Sequence, residues 1–127
     1  MGVVGVGVDL VDVPRFAAVI ARRPGFITRV FTEREIEASG GASAPRVASL
    51  AARWAAKEAV AKVLVDNRGL EWHHCEVLNG GNGEPGLVLS GTVLEAARAR
   101  HIDVWHLSLS HDGPMAIAFV VAAAQSE

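Results

Sequence analysis

The feature that most constrains the fold is one segment, residues 45–65, that contains no internal glycine or proline. The carboxyl half of this segment is apolar on almost every side, which is typical of a helix buried in the interior of a protein. Asn67 and Gly69 follow the segment, and both residue types commonly end helices. The sequence therefore predicts a long, largely buried helix against which the other elements pack.

The amino-terminal residues 3–10 alternate between apolar residues and small or acidic ones, a pattern typical of a strand. One face carries Val4, Val6, Val8 and Leu10, and the other carries Gly5, Gly7 and Asp9. Because the glycines have no side chain, a ligand or another backbone can approach the second face closely. Asp9 closes this strand, so we expect it beside open space, where it is either a ligand for a metal or a cap for the following turn or helix.

Caps, chain breakers and apolar runs predict the remaining elements. Four helices are predicted. The first runs from a cap at Asp12, with Pro14 in its first turn, to about Pro24, and the second runs from a Thr32–Glu35 capping box to Gly40 and Gly41. The third spans residues 45–65, and the fourth runs from a Thr92–Glu95 capping box to about Arg100. Strands are predicted over residues 72–78, 86–89, 104–110 and 115–123, with a loop at 79–85 and a hairpin turn at 111–114. This order predicts a single small α+β domain spanning residues 1–127, with a mainly antiparallel sheet packed on the long helix.

Composition and charge disfavour some classes of protein. The net charge of −2 and the pI near 6.2 disfavour the strong positive field of a nucleic-acid-binding protein. We expect a soluble cytoplasmic protein with no membrane association, because no apolar run reaches membrane-spanning length, no signal-peptide pattern is present, and the single Cys75 cannot form an internal disulfide. Half of the 127 residues are apolar, which predicts apolar surface buried between subunits; the alternative is a tight monomer with an alanine-rich surface.

Two charged residues interrupt the apolar face of the long helix. At about 100° per residue, Glu58 and Lys62 fall on the same stripe as Leu50 and Trp54. A buried charge is costly unless it is paired or bound to a metal, so such positions are enriched in functional sites. Glu58 and Asp9, together with phosphate oxygens and water, would form the all-oxygen shell that Mg²⁺ prefers. The alternative is an ordinary pair between a glutamate and a lysine one turn apart.

Two other patterns do not predict sites. The Gly-Val-Gly run at residues 5–7 begins like a dinucleotide-binding motif, but Leu10 replaces the third glycine and no βαβ unit follows. The His-His-Cys run at residues 73–75 lacks a fourth ligand and the loop spacing of a zinc site, so we expect these residues on the surface of a strand.

Four motifs occur in order along nearly the whole chain. They are residues 5–16 (GVGVDLVDVPRF), 31–35 (FTERE), 53–59 (RWAAKEA) with Lys62, and 107–111 (LSLSH). Together they resemble the holo-acyl-carrier-protein synthases, which are magnesium-dependent 4′-phosphopantetheinyl transferases. The resemblance implies transfer of the phosphopantetheine arm of coenzyme A to a serine of an apo-acyl carrier protein, with release of 3′,5′-ADP. It also implies a homotrimer with three active sites between its subunits.

The resemblance further implies roles for individual residues. Asp9 and Glu58 match the magnesium ligands, and catalytic roles fall to Asp9, Glu58, Lys62 and His111. Contacts with coenzyme A fall to Arg53, Lys57, Lys62, Gly83, Pro85 and His111. Glu84 stands where the family usually has a lysine or arginine, and Asp112 stands where a small hydroxyl residue is usual. The group that accepts the serine proton is Asp9 or a metal-bound water that Asp9 holds.

The first predicted helix is basic in a protein that is slightly acidic. Residues 13–32 contain no acid and include Arg15, Arg22, Arg23 and Arg29. A positive patch here would complement an acidic carrier protein, with Arg15 and Arg22 as docking residues. The alternative is a solvated helix face without a partner.

Two further functions are compatible with parts of this pattern. A non-catalytic module that binds coenzyme A or nucleotides would keep the cations but would need neither Asp9 nor Glu58. A magnesium-dependent phosphohydrolase would use water in place of the serine nucleophile.

Overall fold

A long central helix, α4 (Val47–Leu64), organises the structure, a computed structural model that describes residues 2–65 and 68–125. The other helices are α1 (Val13–Arg22), α2 (Phe26–Val30), α3 (Glu33–Ala38) and α5 (Gly91–Ala99), with a single 3₁₀ turn at Trp72–His74. The strands are β1 (Gly2–Asp12), β2 (Cys75–Asn79), β3 (Pro85–Leu89), β4 (Val104–Asp112) and β5 (Met115–Ala124). Asn67, which was predicted to help end the long helix, lies outside the described residues.

Both sheets are antiparallel. The larger sheet has the strand order β1-β5-β4, and the smaller one is the β2-β3 hairpin. Helix α4 packs on β1 and β5, and twelve of its eighteen residues are buried. The predicted α+β fold, with a mainly antiparallel sheet on a buried helix, is confirmed. No helix within the described residues is long and apolar enough to cross a membrane.

The contact between β1 and α4 depends on Gly7. A β-carbon at this position would lie 2.1 Å from the carbonyl oxygen of Ala59, so the open face of the strand is filled by the backbone of the helix. The other face of β1 exposes its apolar side chains, since Val6 is 52%, Val8 41% and Leu10 58% accessible. Val4 does not join that face as predicted, because the register shifts between Val3 and Gly5 and turns Val4 toward the core.

Two predicted helix caps are confirmed. The carboxylate of Asp12 accepts a hydrogen bond from the backbone N–H of Arg15 at 2.9 Å, and the capping box of Thr32 and Glu35 is complete. The second predicted capping box is wrong, because α5 begins after Ser90 and the hydroxyl of Thr92 instead accepts from the backbone N–H of Glu71 at 2.9 Å.

Other boundaries also differ from the predictions. The first helix ends at Arg22 rather than near Pro24, and the short helix α2 was not predicted. The strand predicted at 72–78 begins only at Cys75, so the histidines before it lie in the 3₁₀ turn rather than on a strand surface. The β4–β5 hairpin is tighter than predicted because Asp112 pairs with Met115, which leaves a two-residue turn.

Candidate active site

A pocket of about 270 Å³ opens where β1 ends and α1 begins, against the side of α4. Asp9 enters it from β1 and Glu58 from α4, so the structure brings the two predicted carboxylates together. Phe16 and Val19 of α1 and Trp54 of α4 supply an apolar wall. The pocket therefore combines acidic groups with a surface that excludes water on one side.

The electrostatics of the pocket are those of two neighbouring carboxylates held partly out of water. Burial raises the pKa of Glu58 above its usual value, and the nearby charge of Asp9 raises it further. Lys62 acts in the opposite direction on the pKa of Glu58. The Lys62 Nζ donates to Asp9 Oδ1 at 3.1 Å and to the carbonyl oxygen of Val8 at 2.8 Å. The charge of Asp9 thus opposes the ionisation of Glu58, and the Lys62 ammonium offsets part of the negative charge.

This arrangement fits a divalent cation. Mg²⁺ typically uses one or two protein carboxylates and completes its shell with water and substrate phosphates. The described residues contain no group of three or more histidine, cysteine or acidic side chains arranged to hold a metal. A metal at this site would therefore need ligands other than protein side chains to complete its coordination shell. A divalent cation bound to these two neighbouring carboxylates would offset their negative charge.

The prediction that Lys57 contacts coenzyme A is corrected by the structure. Its ammonium lies in the core, where it pairs with Glu35 at 2.9 Å and both side chains are fully buried. It also donates to the carbonyl oxygens of Trp72 and Cys75, at 2.9 Å and 2.5 Å. The cause is the helix geometry, which turns Lys57 about 100° away from Glu58 and toward β2. Lys57 ties α3, α4 and β2 together and has no path to a phosphate.

Arg53 also differs from its predicted role. Its guanidinium is almost wholly covered and donates to the carbonyl oxygen of Val77 at 2.9 Å, to Ser49 Oγ at 2.6 Å and to Asn79 Oδ1 at 3.2 Å. Burial lowers its pKa, although an arginine stays charged at neutral pH. Arg53 therefore supports the loop at the tip of the β2–β3 hairpin from beneath.

The loop itself, residues 79–85, is exposed on a different side of α4 from Asp9. Arg53 and Glu58 are five residues apart, which is about 140° around the helix. Gly83 has a φ of +85°, a conformation that favours glycine, and its carbonyl oxygen accepts from Asn79 Nδ2 at 2.9 Å. Glu84 and Pro85 follow it at the start of β3. Within one chain, the loop does not line the acidic pocket.

His111 lies at the exposed end of β4. It pairs with Ala116 of β5, which pairs on its other side with Val11 of β1. Two strand spacings, about 10 Å, therefore separate His111 from β1. The structure does not bring His111 into the pocket of its own chain.

Of the predicted docking residues, Arg15 and Arg22 are exposed on α1, and Arg15 also lies at the rim of the acidic pocket. The sequence reasoning missed Glu35 as a buried partner of Lys57. The sequence assigned Glu35 only to the capping box of α3, and that assignment is confirmed because Glu35 Oε1 accepts from the Thr32 N–H at 3.0 Å. The second role depends on a contact 22 residues along the chain, from Glu35 to Lys57, which local spacing does not reveal.

Comparison with known proteins identifies the family of this chain. Residues 5–120 match the model of the 4′-phosphopantetheinyl transferase superfamily. The chain is 57% identical over 122 residues to the holo-[acyl-carrier-protein] synthase of Frankia casuarinae, covering 96% of this chain and 98% of the relative.

Solved structures agree in fold. A holo-ACP-synthase from Plasmodium yoelii superposes with a TM-score of 0.86 at 23% identity, covering 98% of each chain. The ACPS–CoA complex of Chronobacterium ammoniagenes superposes with a TM-score of 0.81 at 28% identity, covering 99% of this chain and all of that one. This chain therefore belongs to the holo-acyl-carrier-protein synthases of the 4′-phosphopantetheinyl transferase superfamily.

Proposed function

We propose that this protein transfers the 4′-phosphopantetheine group of coenzyme A to a serine of an apo-acyl carrier protein and releases 3′,5′-ADP. The observation that carries the proposal is that Asp9 and Glu58 line one pocket, with Lys62 paired to Asp9, in a chain of this family. A relative named holo-[acyl-carrier-protein] synthase supports the carrier protein as acceptor, and a coenzyme A complex among the structural neighbours supports coenzyme A as donor.

The reaction forms a bond between the serine oxygen and the β-phosphorus of coenzyme A, and it breaks the bond from that phosphorus to the oxygen of the leaving 3′,5′-ADP. Magnesium held by Asp9 and Glu58 would supply positive charge to the pyrophosphate oxygens. Lys62 stands at the same carboxylate, where its ammonium can meet a phosphoryl oxygen. The serine proton goes to Asp9 or to a water that Asp9 holds. The apolar wall of Phe16, Val19 and Trp54 keeps bulk water from one side of the reacting groups.

The reaction is tested by incubating the protein with coenzyme A, Mg²⁺ and an apo-carrier protein, and then measuring the intact mass of the carrier. We expect the carrier to gain one phosphopantetheine, and a carrier whose acceptor serine is alanine to gain nothing. A binding module would leave both carriers unchanged. A phosphohydrolase would consume coenzyme A without modifying either carrier.

We further propose that α1 docks the carrier protein through Arg15 and Arg22. Both side chains are exposed, and no acid occurs in α1 to neutralise them. A positive face of this kind speeds the encounter with an acidic protein and fixes its orientation.

Reversing these charges, in Arg15→Glu combined with Arg22→Glu, should raise the KM for the carrier about tenfold or more while the KM for coenzyme A changes little. The dependence of the carrier KM on salt should also become shallower, because exposed charges are screened over about 8 Å at physiological ionic strength. Arg98→Glu, an exposed reversal on α5, is the matched control. A carrier KM that is the same in the double variant and in the control would show that α1 is only a solvated face.

We propose a homotrimer in which each active site is shared between two subunits. The outer face of the larger sheet is apolar, and in a monomer it would be exposed to water. It is formed by Val6, Val8, Leu10 and Phe119. His111 and the loop at 79–85 lie away from the pocket of their own chain, so they are available to the pocket of a neighbour. A closed cyclic assembly repeats one such contact three times.

Mixing two inactive variants tests the sharing of the site. Glu58→Gln and His111→Ala are dissociated gently, combined in equal amounts and reassembled. About one interface in four should then contain an intact Glu58 from one subunit and an intact His111 from the other, because each partner is drawn at random. Transfer activity should rise well above that of either parent. If verified mixed trimers stay as inactive as the parents, both residues act within one subunit.

A further inference from the structure

Lys62 forms an ion pair with Asp9, one of the two carboxylates that the proposed function assigns to magnesium. Its Nζ donates to Asp9 Oδ1 at 3.1 Å, and a second bond, to the carbonyl oxygen of Val8 at 2.8 Å, places the ammonium on the strand that carries this acid. Lys62 is one turn beyond Glu58 on α4, and its charge acts on both carboxylates, by direct contact with Asp9 and by lowering the pKa of Glu58. Any cation that binds Asp9 must arrive beside an ammonium already in contact with it.

The two partners of this ion pair differ in freedom. The Asp9 side chain is only 15% exposed, whereas that of Lys62 is 55% exposed. Asp9 is also fixed on a strand that pairs with β5 and packs closely against α4. Lys62 sits in the last turn of α4, and its four-carbon stem can turn outward without disturbing packed residues. The lysine, rather than the aspartate, is therefore the member that can move.

Charge favours that movement when a divalent cation binds. Asp9 and Glu58 carry two negative charges when ionised, and Lys62 reduces the sum to one. A divalent cation at Asp9 satisfies both carboxylates and repels an ammonium on the same group, in a site partly shielded from water. An ammonium released into solvent beside Asp9, by contrast, can meet an incoming phosphate at no cost in repulsion.

We propose that Lys62 and the divalent cation compete for the carboxylate of Asp9, so that metal binding releases the ammonium toward the pyrophosphate of the substrate. The inference rests on the proposed metal site and adds an order of events to it. Lys62 balances the acidic pair until the metal arrives, and it then becomes a phosphate-binding group. Metal binding alone, without coenzyme A, must therefore be weaker when Lys62 is present.

The test measures Mn²⁺ binding to the protein without coenzyme A or carrier, by the loss of the free-ion signal in electron paramagnetic resonance. Lys62→Met should bind Mn²⁺ about fivefold more tightly than the wild type, as expected when an exposed ion pair of up to ~1 kcal/mol no longer competes. Arg15→Met is the matched control. It also removes one positive charge, from the rim of the acidic pocket, but the Arg15 side chain has no ion pair among the described residues.

A second readout is the melting temperature, which does not depend on activity. Without metal, Lys62→Met should melt below the wild type, because the acidic pair has lost its counter-charge; at saturating Mn²⁺ the difference should shrink. Lys62→Gln serves as a second variant with a polar side chain and should behave in the same way.

Three outcomes separate the possibilities. Tighter Mn²⁺ binding in both Lys62 variants than in Arg15→Met supports competition. An equal gain in Arg15→Met, or weaker binding in the Lys62 variants, overturns it, since the lysine would then act only through general charge or would orient Asp9 for the metal. Asp9→Asn should abolish binding; if it does not, Asp9 is not a metal ligand, and the proposed metal site fails together with this inference.

Discussion

Glu58→Gln should lower the turnover of phosphopantetheine transfer more than about a hundredfold while the protein remains folded. A metal that stabilises developing charge contributes several kcal/mol to the transition state, and every 1.4 kcal/mol is a factor of about ten in rate. Glutamine keeps the size of the side chain but removes one of the two carboxylates proposed to hold the metal; Asp12, the third acid lining the pocket, caps α1. The fold should survive because burial already disfavours the ionised form of Glu58, so an uncharged glutamine should be tolerated at this half-buried position.

The measurement is turnover as a function of Mg²⁺ concentration, with circular dichroism as the check on folding. Glu95→Gln, an exposed glutamate on α5, is the matched control and should behave like the wild type. Near-normal transfer by folded Glu58→Gln at limiting Mg²⁺ would remove Glu58 from the metal shell.

Lys57→Met should destabilise the protein by about 3–5 kcal/mol, the cost of leaving a buried charge without its partner. The substitution would strand the Glu35 carboxylate, whose side chain is fully buried, and would also remove the donor from the carbonyl oxygens of Trp72 and Cys75. Urea unfolding, compared with the wild type at the same pH, gives the change in the free energy of unfolding.

The matched control is Arg34→Met, which breaks the ion pair between Arg34 and Glu76 at the surface. The Arg34 side chain is 64% exposed, so this loss should be much smaller than the loss in Lys57→Met. Adding Glu35→Gln to Lys57→Met should cost less than the sum of the single changes, since it removes the stranded charge. Equal losses in Lys57→Met and Arg34→Met would contradict a core role for the pair.

Local patterns predicted those elements whose contacts are themselves local. The cap at Asp12 and the capping box at Thr32 each join residues three apart, and both form as expected. The same Thr-x-x-Glu spacing failed at Thr92, because its hydroxyl lies 2.9 Å from both His74 Nδ1 and the backbone nitrogen of Glu71. A distant partner overrode the local pattern there, and spacing carries no information about such partners.

The candidate site divides along the same line. Asp9 and Glu58 were predicted together from the end of one strand and the stripe of one helix, and the structure brings them to one pocket. Lys57 was assigned wrongly because α4 is buried on several sides, so a charged residue on it can face either the pocket or the core. The helix turns Lys57 away from Glu58, and its partners in the core, Glu35 of α3 and the carbonyl oxygens of Trp72 and Cys75, are distant in sequence, so local spacing does not reveal them.

The most direct test of the central claim is the stoichiometry of one reaction mixture containing the protein, coenzyme A, Mg²⁺ and apo-carrier. Both products are measured at each time point, 3′,5′-ADP by chromatography and modified carrier by intact mass. We predict that they appear in equal amounts from the start, and that neither forms with Glu58→Gln or with a carrier lacking its acceptor serine. Release of 3′,5′-ADP without modification of the carrier, or no release at all, would contradict the assignment of this protein as a phosphopantetheinyl transferase.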